Sequence, residues 1–476
     1  MNINKKQSLA KKLSRRKFLK YGIYGAMTTS LSSVIWLSGC SGKSKPREKT
    51  NVILISIDTL RKDHCSIHGY PKDTTPVLRK LASKGVVFNS AYSPTAETGP
   101  SHATMFTSLY PITHRVIKNG INLTSNNHTI AEYLDKFGYQ TAAVIGSFVL
   151  DSKFGFAQGF SFYEDNFTME RSTQKLTEWA KRKVENGFDQ PASDTSKKAI
   201  KWLQKNQDPQ RPFFLFVHYY DPHDPYVAPE PFASRYAPQK KNPLWLDKRI
   251  GQYDAEIAHT DHEIGNIIKT LEWMGHIDDT LIVITSDHGE GLGQHGHLGH
   301  TINLYEELVR VPLLFYWPDH IPRDRRINAP VELVDLMPTI FDLIGITDDK
   351  FPFQGQNLSP AILNNITLNK NRPIFLHRRH YNNKTVSNTW LNGEKFGIRV
   401  GNYKYIVGKD EKTTELFDLS LDPNELSNLH DVLPKKSAEL EIRLEKWKKE
   451  NTRQSTEQDT ISNEDRKRLE TLGYVD

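Results

Sequence analysis

The sequence predicts an α/β protein in which a mostly parallel central sheet is flanked by helices, followed by a smaller C-terminal α+β subdomain. Three observations carry that reading. Short runs of apolar, largely β-branched residues recur along the chain, and polar clusters come just after them. Between the runs lie segments with an apolar residue every third or fourth position, the mark of helices that bury one face. Past about residue 372 the texture shifts to short alternating segments. Strands that alternate with helices build a parallel sheet covered on both faces, and such sheets bind ligands outside the carboxyl ends of their strands.

The 476 residues, 37% of them hydrophobic, suffice for one large domain and a smaller one. The first twenty hold eight basic residues (Lys5, Lys6, Lys11, Lys12, Arg15, Arg16, Lys17 and Lys20) and no acid, and residues 21–39 carry no charge. That order predicts an export signal. Ser14-Arg15-Arg16-Lys17-Phe18-Leu19 resembles a twin-arginine signal. Leu37-Ser38-Gly39-Cys40 resembles a lipobox, in which a peptidase cuts before a cysteine whose thiol is lipidated. The competing reading is a transmembrane anchor, which needs ~20 apolar residues. Gly, Ser and Thr dilute residues 21–39 and favour the lipoprotein. Residues 1–39 are therefore expected to be a signal peptide and 40–50 a tether anchored to a membrane through lipid on Cys40, at a bacterial cell envelope.

Cleavage before Cys40 changes the charge account. The chain has 63 basic and 56 acidic side chains, a net +7; removing eight basic residues leaves 55 against 56, or −1. The basic character belongs to the signal and lends no support to nucleic-acid binding. With Cys40 acylated, Cys65 is the one remaining thiol, which excludes an internal disulfide.

Residues 51–371 are expected to form the main domain. Asn51–Ile57 is an apolar run ended by Asp58, the pattern of a strand buried on both faces. Residues 213–217 lead into His218-Tyr-Tyr-Asp-Pro-His-Asp-Pro225, 280–285 into Ser286-Asp-His-Gly-Glu290, and 311–316 into Trp317-Pro-Asp319. Helical periodicity spans 129–137, 195–206 and 253–274. In the expected subdomain, 372–476, alternating segments at 395–400, 403–407 and 415–419 precede a charged helix at 433–451.

Asp58 at the end of a buried strand needs a cation, or else it is a solvated or capping carboxylate. Asp287 and His288, adjacent at a second strand end, offer one oxygen and one nitrogen. The run from Glu97 to Thr107 contains Pro100, which suits the first turn of a helix. Thr98 then sits at the helix's positive end, where exposed N–H groups favour an anion. It is either an N-cap or a hydroxyl that a bound cation can ionise into a nucleophile.

Together these segments resemble the sulfatase family, sulfatase-like hydrolases of the alkaline phosphatase superfamily. The resemblance rests on Ile57-Asp58-Thr59-Leu60-Arg61-Lys62-Asp63-His64, on Thr98-x-Pro100-Ser101-His102 with Thr107-x-x-Tyr110-Pro111, on Asp221-Pro222-His223-Asp224-Pro225, and on Ser286-Asp287-His288-Gly289-Glu290. Tyr305-Glu306-Glu307 with Arg310-Val311-Pro312, Leu416-Phe417-Asp418-Leu419 with Asp422-Pro423, and Leu472-Gly473-Tyr474 extend it over almost the whole mature chain. It implies the alkaline-phosphatase-like fold, one divalent metal (Ca, Mn, Zn or Mg) held by Asp58, Asp287, His288 and Thr98, and Thr98 as nucleophile.

The departures from that family bear on the substrate. Sulfatases place a Cys or Ser in C/S-x-P-x-R and oxidise it to formylglycine; here Thr98 and His102 stand at the first and last of those positions. Threonine cannot become formylglycine, so a Thr98 ester must be opened by water attacking the central atom, a displacement that phosphorus accepts. Thr59 replaces the second Asp of the usual pair, and the usual Lys and His are missing around Gly146-Ser147-Phe148. His102, His223 and His300, the last near a sulfatase lysine position, are expected to polarise or protonate a leaving oxygen. The region 295–300 carries three histidines, which leaves a second metal open; otherwise His295 and His297 shape the loop.

The expectation is a hydrolase of small-molecule, glycan or lipid esters, phosphodiesters or phosphonate esters ahead of sulfate esters. A phospho-alcohol transferase acting on envelope glycans or lipids and a non-catalytic binding protein are the alternatives.

Overall fold

The computed structural model describes residues 50–167, 178, 179, 182, 183, 188–347, 351–386 and 389–453. The expected signal peptide, the lipobox and Leu472-Gly473-Tyr474 lie outside them.

Eight strands form the main path of the central sheet: β1 (Asn51–Ile57), β2 (Val86–Tyr92), β3 (Gln140–Val144), β4 (Phe162–Glu164), β5 (Phe213–Tyr219), β6 (Thr280–Ser286), β7 (Arg310–Tyr316) and β8 (Arg325–Ile327). Their order is β8-β2-β7-β6-β1-β5-β3-β4, and Val331–Glu332 also pairs with β2. The centre, from β6 through β1, β5 and β3 to β4, is parallel. β7 runs antiparallel to both β6 and β2. The physical reason is its connection: no crossover helix follows β6, so the chain turns at the same sheet end and comes straight back.

Alternate residues of β1 point to opposite faces and enter two separate cores. Val52 and Leu54 pack on one face with Ala103 and Phe106 of α1 (Thr98–Thr107). Ile53, Ile55 and Ile57 pack on the other with Ala199 and Trp202 of α2 (Ala192–Lys205) and Ile264 and Ile267 of α3 (Trp245–Met274). The helix Ile130–Lys136 begins on a capping box: Thr129 Oγ1 accepts from Glu132 N–H at 3.2 Å, and Thr129 N–H donates to Glu132 Oε2 at 2.8 Å.

A second, antiparallel sheet follows, β9 (Ile374–Val386), β10 (Thr389–Val400), β11 (Tyr403–Gly408) and β12 (Thr413–Asp418), with neighbours in sequence paired. Phe396, Ile398, Tyr405 and Leu416 from this sheet pack with Leu440, Leu444 and Trp447 of α4 (Pro434–Asn451), and with Tyr110, Ile112 and Val334.

Register positions the site. Ile57 pairs with Tyr219 on one side and with Ser286 on the other, so Asp58, Tyr220 and Asp287 leave the three central strands at one level.

Candidate active site

Asp58 and Asp287 are both fully buried, and with His288 they offer donor atoms that all lie within 4.8 Å of one another. Asp287 Oδ1 accepts from the N–H groups of Thr59 (3.1 Å) and His288 (2.8 Å). Its Oδ2 and both oxygens of Asp58 have no hydrogen-bond partner. Burial, reinforced by the charge of Asp287, pushes the Asp58 carboxyl well above its usual range. Burial also opposes charge on Asp287, but His288, His102 and His218 outweigh it and hold that carboxyl low. Three orphaned carboxylate oxygens in a buried site describe a cradle for a cation. A mixed oxygen and nitrogen donor set of this kind fits the divalent ions expected from the sequence.

His288 supplies the nitrogen. Its Nδ1–H donates to the carbonyl of Gly289 at 2.9 Å, which leaves the Nε2 lone pair facing Asp287 Oδ2 (3.4 Å), Asp58 Oδ1 (3.9 Å) and Thr98 Oγ1 (3.3 Å). Gly289 has no room for a side chain, since a Cβ there would stand 1.9 Å from the Glu307 carbonyl oxygen. Thr59 carries the main chain past Asp58 at φ 55°, an uncommon conformation for a β-branched residue, with its N–H bound to Asp287.

Thr98 is the first residue of α1 and is fully buried. The N–H of the next residue, Gly99, donates to Asn119 Oδ1 at 2.6 Å, and Asn119 N–H donates to Glu97 Oε1 at 2.9 Å. Asn119 Nδ2 is buried without a partner. Nothing local in the sequence marks Asn119, which lies 21 positions after Thr98 with no shared motif.

His102 departs from its expected role at a leaving oxygen. One helical turn beyond Thr98, it hydrogen-bonds through Nδ1 to the Thr98 carbonyl at 2.8 Å and through Nε2 to the Ser56 hydroxyl at 2.9 Å. With both nitrogens engaged and burial, aided by His218, lowering its pKa to about 3, it stays neutral, held against the Thr98 carbonyl. His218, overlooked in the sequence because it lies within a strand, is fully buried with Nε2 3.5 Å from Asp58 Oδ2. Its ring meets that of His102 edge-on at 4.9 Å.

His300 and His223 do come to the centre. The His300 ring lies 4.5 Å from that of His288 and 5.0 Å from that of His223, which stacks on Tyr220 at 4.4 Å. His300 Nδ1 faces Glu290 Oε1 at 3.5 Å. Burial opposes a charge on His300, but the Glu290 carboxylate outweighs it and holds the pKa above the usual value. The loop at 295–300 does not gather a second metal group: His295 binds Glu307 Oε1 (2.8 Å) and the Glu425 carbonyl (3.2 Å) instead.

An α/β sheet that brings two buried carboxylates, an imidazole and a helix-end hydroxyl together at its strand ends has the layout of a metal-assisted ester hydrolase. Residues 50–346 match the sulfatase family model, and residues 293–454 match that of the N-sulphoglucosamine sulphohydrolase C-terminal region. The chain belongs to the sulfatase family and is a hydrolase of ester bonds. It is similar to a sulfatase from Formosa agariphila, 26% identical over 442 residues that cover 81% of this chain and 83% of that protein. The N-acetylglucosamine-6-O-sulfatase of Bacteroides thetaiotaomicron is 24% identical, covering 83% of this chain and 85% of that protein. Among solved structures, the phosphonate monoester hydrolase of Agrobacterium radiobacter shares the fold with a TM-score of 0.69 at 23% identity, over 84% of this chain and 96% of that one.

Proposed function

We propose that this protein is a metal-dependent hydrolase that uses Thr98 as nucleophile and cleaves phosphorus esters, phosphodiesters or phosphonate esters, in preference to sulfate esters. The observation that carries the reading is the placement of Thr98 Oγ1, 3.3 Å from His288 Nε2 at the N-terminus of α1, in a position where sulfatases need an oxidisable Cys or Ser.

Asp58, Asp287, His288 and Thr98 are the residues that would hold the ion. A divalent ion there would supply Lewis acidity for the Thr98 hydroxyl and for the charge on the transferring group. Thr98 Oγ1, its proton given up to solvent, bonds to phosphorus; the bond from phosphorus to the leaving alcohol breaks, its electron pair stays on the alcohol oxygen, and His300 delivers a proton there. Glu290 favours the protonated imidazole that this step needs. Asn119 Nδ2, buried without a partner beside the start of α1, stabilises the oxygens of the transferring group. Water, giving a proton back to His300, then attacks phosphorus and the bond to Thr98 Oγ1 breaks. His102 and His218 hold Thr98 and Asp58 in place from within the protein.

The Arg15-Arg16 and Cys40 motifs support a location at the bacterial envelope, anchored through lipid. A panel of aryl sulfate, phosphate monoester, phosphodiester and phosphonate ester substrates, run with Ca, Mn, Zn and Mg, tests the reading. Turnover of phosphorus esters that Thr98→Ala abolishes is expected. A dominant sulfatase activity, or activity untouched by Thr98→Ala, overturns it.

A further inference from the structure

A second cluster of titratable side chains lies outside the site just described. Asp221, Glu256 and His259 are 2%, 1% and 4% exposed, and one donor atom of each lies within 4.8 Å of the others. Glu256 and His259 stand three residues apart on α3 and so share a helix face, the Glu-x-x-His spacing with which helices present a carboxylate and an imidazole to one ion. Asp221 comes from a different element, the turn two residues past β5.

Local contacts fix all three. Asp221 Oδ2 accepts from Ala192 N–H, at the start of α2, at 2.7 Å, and Glu256 Oε1 accepts from Val227 N–H. Thr260 Oγ1 donates to the Asp221 carbonyl at 3.3 Å. A metal-bound imidazole commonly gives its other nitrogen to a carboxylate, and Glu263 Oε1 stands 3.8 Å from His259 Nε2. Two carboxylates and an imidazole buried this close together can share one divalent ion.

We propose that Asp221, Glu256 and His259 bind a second divalent cation, of the class that accepts carboxylate and imidazole together, such as Mn(II) or Zn(II). The ion ties the turn past β5 to α3. Two residues beyond Asp221 on that turn is His223, whose ring meets His300, so the cation holds the approach of this imidazole to the active site without touching the reacting atoms.

The test is equilibrium dialysis of the purified full chain against Mn(II), with bound metal counted by elemental analysis and folding checked by circular dichroism. The Asp58→Asn/Asp287→Asn variant removes the first site, and one ion per chain is expected to remain. An ion retained there belongs to the second cluster whatever becomes of the first, so the two assignments fail separately. Adding either Glu256→Gln or His259→Gln is expected to abolish that binding. Adding Glu256→Gln alone to the wild type is expected to lower the count by one ion. No ion in the double variant, or a count unchanged by both Glu256→Gln and His259→Gln, overturns the proposal.

Discussion

His288 stands between Thr98 and the two buried aspartates, its Nε2 3.3 Å from Thr98 Oγ1 and 3.4 Å from Asp287 Oδ2, because its Nδ1–H is tied to the carbonyl of Gly289. A cation joining these donors binds the folded chain and not the unfolded one. Ligand at about 100 times its dissociation constant stabilises by about 2.7 kcal/mol. Scanning calorimetry with and without Mn(II) or Zn(II) is expected to show a higher Tm with metal, and Asp58→Ala to lose part of that rise. Equal rises in the two proteins would take Asp58 out of the site.

His300 faces Glu290 at 3.5 Å and meets the rings of His288 and His223. In the proposed mechanism it protonates the leaving oxygen, which matters most when that oxygen is basic. His300→Gln is expected to slow alkyl ester cleavage by about 10²–10⁴-fold while sparing p-nitrophenyl esters, whose leaving group needs no proton. Equal losses across a leaving-group series would assign His300 to binding.

In the proposed mechanism His102 acts through Thr98. His102→Ala leaves a cavity and removes the partners of the Ser56 hydroxyl and the Thr98 carbonyl, so a loss of about 2–4 kcal/mol in stability is expected from chemical denaturation. The kcat falls, but the slope of rate against leaving-group pKa stays as in the wild type. A steeper slope would make His102 the acid.

His295 gives the fold a pH dependence of defined sign. Burial works against its charge, but the hydrogen bond and charge of Glu307 outweigh it and hold its pKa above 6.5. Burial likewise opposes charge on Glu307, and His295 holds that carboxyl below 4.5. The His295 contribution is full below about pH 6.5 and is lost as pH rises through its folded value; that of Glu307 is full above about pH 4.5 and is lost on acidification. The destabilisation caused by His295→Gln is therefore expected to be larger at pH 6 than at pH 9, on the order of 1 kcal/mol between them. The same destabilisation at both pH values would contradict the pairing.

Legibility in the sequence followed how locally each feature is encoded. The strand Asn51–Ile57 was readable to the residue because it is buried on both faces, and the helix at 129–137 from its local apolar periodicity. α3 starts at Trp245 rather than 253, since its first two turns, with Trp245 exposed and Gly251 alone buried before Tyr253, lack a buried stripe. β2 was missed because Asn89 and Ser90 interrupt its apolar run, and β9 because Arg378, Arg379 and His380 do the same. Asp58, Asp287 and His288 stood out as polar residues just past apolar runs. His218 also follows an apolar run, but the strand continues over it to Tyr219 and nothing in its motif marked it, while Asn119 reaches Gly99 only through the fold. The five-residue motif Asp221-Pro222-His223-Asp224-Pro225 divides in space: His223 faces His300, whereas Asp221 joins Glu256 and His259.

The most direct measurement is rapid acid quench of the enzyme during turnover of a phosphodiester or phosphonate ester, followed by peptide mapping. A phosphoryl or phosphonyl ester on Thr98, absent from Thr98→Ala together with the activity, is the predicted result. Undiminished turnover by Thr98→Ala, or an adduct carried by any other residue, would contradict it.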